Sequence, residues 1–143
     1  MTPEENNAIA RHFFDSAWNK GDFSVLDTLL TPASMDYSTL HGAPEQGSDS
    51  FRNIIGTFRA AFPDIHLTID DEIYTGDKVV HRWTLRGTHQ APFMGLPPAG
   101  KKVEFTGTTI VQMRDGKIAA RWSNLDMMRL MQQLGAVPPP PGM

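Results

Sequence analysis

KVEFTGTTIVQMRDGKIAARWSN, residues 102–124, decides the fold. In its first half Val103, Phe105, Gly107, Thr109, Val111 and Met113 fall on one side of an extended chain, opposite Glu104, Thr106 and Gln112. That period of two marks a strand with one face in the core. Asp115-Gly116 then separates this run from a second, KIAARWSN, and an Asp-Gly pair between two extended runs signals a tight hairpin. The two runs are therefore antiparallel neighbours. Two further runs lie upstream, IHLTIDDEIYT at 65–75 and VVHRWTLRGTHQ at 79–90. TGDK joins these two, and the Pro/Gly-rich APFMGLPPAGK at 91–101 leads on to the hairpin. Short links between consecutive strands predict a meander.

The N-terminal half has the helical period instead. Thr2 and Glu5 are spaced as a capping box with Pro3 at the first helical position, and Ala10, Phe13, Phe14, Ala17 and Trp18 form one stripe that Gly21 ends. A short helix from Phe23 to Leu30 stops before Pro32. SMDYSTL then reads as a brief strand and HGAPEQGS as a loop. A third helix, capped by Ser48 or Asp49, carries Phe51, Ile54, Ile55, Phe58 and Phe62 on one face until Pro63. A last short helix, Met127 to Leu134, is stopped by Gly135. Helices first and strands afterwards predict an α+β domain over residues 1–137, a cone-shaped α+β barrel with helices in the concave face of a curved, mostly antiparallel sheet. Residues 138–143 read as a Pro-rich tail.

Composition narrows the function. The chain has 143 residues, 40% hydrophobic and 20% charged, with a net charge of −3 and no cysteine. The acidic balance offers no footprint for nucleic acid, and the missing cysteines exclude disulfides and thiolate chemistry. No apolar run reaches the roughly 20 residues of a membrane helix, and the polar N-terminus is unlike a signal peptide. The reading is a soluble, cytoplasmic protein. His12, His41 and His66 lack the spacing of metal ligands, so no metal is expected.

Strand parity nominates a site. On the last run Ile118, Ala120, Trp122 and Asn124 share a face that Asp126 continues, while Arg121 and Ser123 point the other way. With the apolar face inward, Asp126 enters the cone. On VVHRWTLRGTHQ, Val79, His81, Trp83 and Leu85 form the inward set, and a bulge near Gly87 would reverse the register before His89. Asp126 has two readings that stay open: a pocket carboxylate, or the N-cap of the helix that follows. His81 likewise reads as a catalytic group or as a hydrogen-bonded core histidine.

FF at 13–14, WNKGD at 18–22, AAFPD at 60–64, GDKVVHRWTLRGTH at 76–89, FMGLPPAGKKVEFTG at 93–107, DGKI at 115–118 and a final W-x-x-x-D resemble the SnoaL-like polyketide cyclases. That family shares a cone-shaped superfamily with ketosteroid isomerase and nuclear transport factor two. The resemblance implies a homodimer through the outer sheet face and cofactor-free acid–base chemistry on a hydrophobic, oxygenated small molecule. It implies Asp126 as the general base, in an aromatic pocket of Trp122, Trp83, Phe14, Trp18, Tyr37 and Phe58. His81, Thr109 and Asn124 complete the expected site. Two positions depart from the family pattern: Thr109 stands where a histidine is expected, and Ala120-Arg121-Trp122 replaces Glu-His-Trp. A non-catalytic ligand-binding or dimerisation module, and hydration, dehydration, isomerisation or monooxygenation in the same pocket, remain alternatives on this scaffold.

Overall fold

A computed structural model describes residues 1–38, 43–139 and 141. Helix α1 spans Pro3–Phe14, and Thr2 closes its start as the sequence predicts, accepting from Glu5 N at 3.1 Å. The helix does not run straight on to Gly21. Asp15–Asn19 forms a π turn, closed by Lys20 N donating to Asp15 O at 3.1 Å. One extra residue per turn rotates the side chains that follow, and such turns collect at functional sites. Here it seats Trp18 in the interior, 3% exposed.

After α2 (Ser24–Leu29), strand β1 covers Leu30–Asp36, longer at its start than the sequence reading, and a two-residue strand β2 (Glu45–Gln46) lies where a loop was expected. Residues 39–42 of that reading lie outside the described residues, as do 140, 142 and 143 of the Pro-rich segment. Helix α3 (Asp49–Ala61) has Ser48 as its N-cap residue, without a side-chain cap bond.

Strands β3 (His66–Thr75), β4 (Lys78–Thr88), β5 (Lys102–Arg114) and β6 (Lys117–Leu125) form the expected antiparallel meander. Asp115 (φ 51°) and Gly116 (φ 75°) both take the left-handed conformation that a tight two-residue hairpin requires. Six strands make one curved, unclosed sheet in the order β2-β1-β6-β5-β4-β3, mixed because β1 pairs with β6 in parallel. Helices cover the concave face, and their apolar stripes and the inward strand residues form one hydrophobic cluster. Helix α4 (Met127–Gln133) closes onto β5, where the Gln133 side chain brackets the Glu104 backbone at 2.8 Å in both directions.

Two register details position everything that follows. The pairing of β4 with β5 runs unbroken from Lys78↔Gln112 to Thr88↔Lys102, so there is no bulge at Gly87 and His89 stays inward, 1% exposed. The break lies in β6. Met113 pairs with Ile118 but Gln112 pairs with Ala120, so Ala119 is an extra residue. A bulge of one residue turns every later side chain to the other face. Arg121, Ser123 and Leu125 therefore point inward with Thr109 and Gly107, and Ala120, Trp122 and Asn124 point outward. The expected parity of Trp122, Asn124 and Asp126 is corrected by this single residue.

Candidate active site: a narrow slot between the helices and the sheet

Between α1, α3 and the sheet lies a narrow slot of ≈ 10 Å³, room for about one water molecule. Phe14, Trp18, Ile54, Leu67 and Leu125 give it apolar walls, and Ser38, Trp83, Thr109 and Arg121 bring polar atoms to it. Four of these were nominated by the sequence as a pocket: Phe14, Trp18, Trp83 and Thr109.

Its central polar feature spans three strands. Trp83 Nε1 donates to Thr109 Oγ1 at 2.9 Å, and Thr109 Oγ1 lies 2.8 Å from Ser123 Oγ, which stands opposite it in the β5–β6 register. Gly107 makes this possible. A Cβ there would sit 2.2 Å from the Trp83 ring, so only glycine lets the indole lie across β5 and reach Thr109.

His81 belongs to the same row, directly opposite Thr109. Its Nε2 donates to Asn7 Oδ1 of α1 at 2.9 Å, an assignment of the ring proton that follows from the carbonyl it faces. The other ring nitrogen, Nδ1, is buried with no partner and keeps its lone pair. Burial pushes the imidazole down to about 4, against an opposing pull from Glu72 and with a smaller push from Arg11. His81 is thus neutral at pH 7. Phe14 packs against it with ring centroids 5.3 Å apart.

The slot's other polar wall was not foreseen. Arg121 is 4% exposed and Asp36, its neighbour across the β1–β6 register, is 1% exposed. Nη1 donates to Ser38 Oγ at 3.0 Å and to Asp36 Oδ1 at 3.4 Å, and the guanidinium carbon lies 5.3 Å from the centroid of the Phe51 ring. Asp36 also accepts from Ser38 N (2.9 Å) and from Ser50 Oγ (2.8 Å). Burial lowers the Arg121 guanidinium from its ordinary value, and the Asp36 charge and hydrogen bond oppose the shift. An arginine in this setting stays charged.

Asp126 is elsewhere. It is exposed at the start of α4, where its Oδ1 accepts from Arg129 N at 3.0 Å, an N-cap contact. Asn124 is exposed, and Trp122 stacks on Tyr37 with ring centroids 5.2 Å apart along an outer groove that Tyr37 and Ala120 help to line. Phe58 lies in the core beside the slot, 5.7 Å from Trp18 and 5.1 Å from Phe93 between ring centroids. Strict alternation along β6 put Arg121 outward, and the extra residue at Ala119 turns it inward. Ser38, Ser123 and Asp36 gave no signal of their own.

The chain belongs to the SnoaL-like polyketide cyclase family, whose model matches residues 8–134. It is 28% identical over 123 residues to the nogalonic acid methyl ester cyclase of Streptomyces nogalater, a match covering 84% of this chain and 90% of the relative. Among solved structures it resembles AclR, a putative hydroxylase from Streptomyces galilaeus, at 28% identity and a TM-score of 0.87 over 99% of this chain and 87% of that one. It also resembles TsrD from Streptomyces laurentii at 31% identity and a TM-score of 0.83, covering 96% and 99% of the two chains. Family and fold together define a cyclase-like protein. Among the described residues no helix is long and apolar enough to cross a membrane, and no cluster of three or more His, Cys, Asp or Glu side chains is placed to hold a metal ion.

Proposed function

We propose that the chain is a cofactor-independent acid–base enzyme of the cyclase type, and that the side chains lining the slot move apart to take in a hydrophobic, oxygenated, polyketide-like molecule. The observation that carries this reading is the row of polar groups, Trp83, Thr109 and Ser123, facing aromatic and aliphatic walls in a chain of this family. In the proposed reaction a proton leaves an activated methylene and the resulting enolate carbon attacks a carbonyl of the same molecule. A carbon–carbon bond forms, and the alkoxide takes up the proton. The dry slot strengthens each hydrogen bond to the developing charge, and the Thr109–Ser123 hydroxyl pair, into which Trp83 Nε1 donates, keeps one O–H to donate to it. His81 does not line the slot but stands opposite Thr109, and it is the proposed proton acceptor once the walls move apart, since Nδ1 carries a free lone pair and the ring is neutral at pH 7. Assigning the base to Asp126 instead requires the first turn of α4 to release the carboxylate and turn it inward; its position supports capping.

A second reading, hydroxylation in which one atom of dioxygen enters the substrate and the other leaves as water with two electrons from an added reductant, is favoured by the likeness to AclR and by the lack of any carboxylate among the described residues that line the slot. One incubation separates the readings. Nogalonic acid methyl ester is held with the protein and the product followed by mass spectrometry. Ring closure gives an isomer of unchanged mass and altered retention, and hydroxylation adds one oxygen. Recovery of the unaltered ester refutes both for this substrate and leaves a binding module. The proposal includes a homodimer through the outer sheet face, supported by the half-buried Trp122–Tyr37 stack and by the exposure of Ile110 there. Sedimentation of a single monomeric species at micromolar concentration contradicts it.

A further inference from the structure

Arg121 has a buried donor that the fold itself leaves without an acceptor. Among the described residues its hydrogen bonds leave from Nη1, to Ser38 and Asp36, and Nε is buried with no partner. Asp36 cannot turn to serve it, because Ser38 N and Ser50 Oγ already fix both carboxylate oxygens. A buried ion pair adds little to stability compared with well-packed apolar residues of the same volume, and an unsatisfied charged donor subtracts from it. The arrangement is therefore poor as a structural device. As a binding device it has the required parts: a fixed cation on the wall of an apolar slot, a countercharge held on the far side, and a buried Nε–H without an acceptor.

The geometry also selects the ligand's chemistry. Nη1 is committed to Ser38 and Asp36, so a ligand's charge meets the guanidinium at its Nε edge. Phe14, Trp18, Ile54 and Leu125 demand that the rest of the ligand be apolar, and the narrowness of the slot demands that it be flat. We propose that the slot, as its side-chain walls move apart, binds its ligand as a planar oxyanion, an ionised phenol or enolised ketone, whose charged oxygen accepts from Arg121 Nε. This rests on the slot being the ligand site and adds the charge state of the ligand and the residue that selects it.

The probe is 4-nitrophenol, whose anion absorbs in the visible, set against 4-nitroanisole, which has a similar shape and cannot ionise. Binding is read by quenching of Trp18 and Trp83 fluorescence, and ionisation by absorbance at a pH below the phenol's own pKa. Adding the wild-type protein is expected to raise nitrophenolate absorbance, with the phenol's apparent pKa lowered by about one unit or more, an anion preference of roughly ten-fold. The paired substitution Asp36→Asn with Arg121→Met removes both charges together and so avoids stranding either one. It is expected to bind the phenol in neutral form and no better than the anisole. A wild-type protein that binds the two probes equally, with the phenol un-ionised, overturns the inference and leaves the slot standing as a ligand site. If neither probe binds, the slot reading itself fails and takes the inference with it. Should the paired variant not fold, the wild-type comparison alone decides.

Discussion

The buried, neutral His81 makes the protein acid-labile in a way that can be calculated. Its folded-state value of about 4 lies well below the ordinary 6.5. At 1.36 kcal/mol per unit, that is about 3 kcal/mol. The sign follows from which state binds the proton first. As pH falls through 6.5 the unfolded chain protonates this histidine and the folded chain does not, so stability is lost progressively until about pH 4, where the folded state takes the proton too. Above pH 6.5 the full stability is present. The perturbation is His81→Gln, which can still donate to Asn7 Oδ1 but does not titrate. Urea unfolding of both proteins from pH 7.5 to pH 4, followed by tryptophan fluorescence, should show the wild type losing about 3 kcal/mol more than the variant, at a slope approaching 1.4 kcal/mol per pH unit. Carboxylates common to both proteins cancel in the difference. Parallel curves for the two proteins refute the reasoning. The same depression has a kinetic counterpart: if His81 accepts the substrate proton, the acid limb of kcat/KM falls near pH 4 and not near 6.5.

Gly107→Ala should force the Trp83 indole off β5, costing about 1–3 kcal/mol as overpacking and altering near-ultraviolet circular dichroism. Thr109→Val leaves Trp83 Nε1 and Ser123 Oγ each short of a partner, a loss of about 1–3 kcal/mol per group in thermal or urea unfolding. Asp126→Ala should cost about 1 kcal/mol as a lost helix cap while Asp126→Asn costs much less, because asparagine caps nearly as well; thermal melts at pH 7 compare the two.

Most of the fold was readable because its cues are local. The Thr2–Glu5 box, the Asp115-Gly116 turn and the period of two in β4 and β5 each act over a few residues, and each recurs in the structure. The π turn at Asp15–Asn19 was not readable, since the stripe of Phe13, Phe14, Ala17 and Trp18 is compatible with an unbroken helix. For the site, Phe14, Trp18, Trp83 and Thr109 were placed because they precede the β6 bulge or stand on other elements. Everything assigned by parity beyond Ala119 was inverted. Trp122 and Asn124 were taken inward and Arg121 and Ser123 outward, and the pairing of Gln112 with Ala120 exchanges them. A bulge is set by how a strand fits its neighbours and leaves no period of its own in the sequence. Asp36 and Ser38 were hidden for a further reason: their roles exist only once β1 lies parallel to β6, about 85 residues away in the chain.

The central claim is that chemistry occurs in the slot and not at the seam between β6 and α4. Conversion of nogalonic acid methyl ester, measured side by side for the wild type, Thr109→Val and Asp126→Ala at matched folded concentration, tests it most directly. The slot account requires Thr109→Val to lose turnover and Asp126→Ala to keep it near the wild-type rate. An Asp126→Ala protein that folds, binds the ester and fails to convert it, beside an active Thr109→Val, contradicts the account.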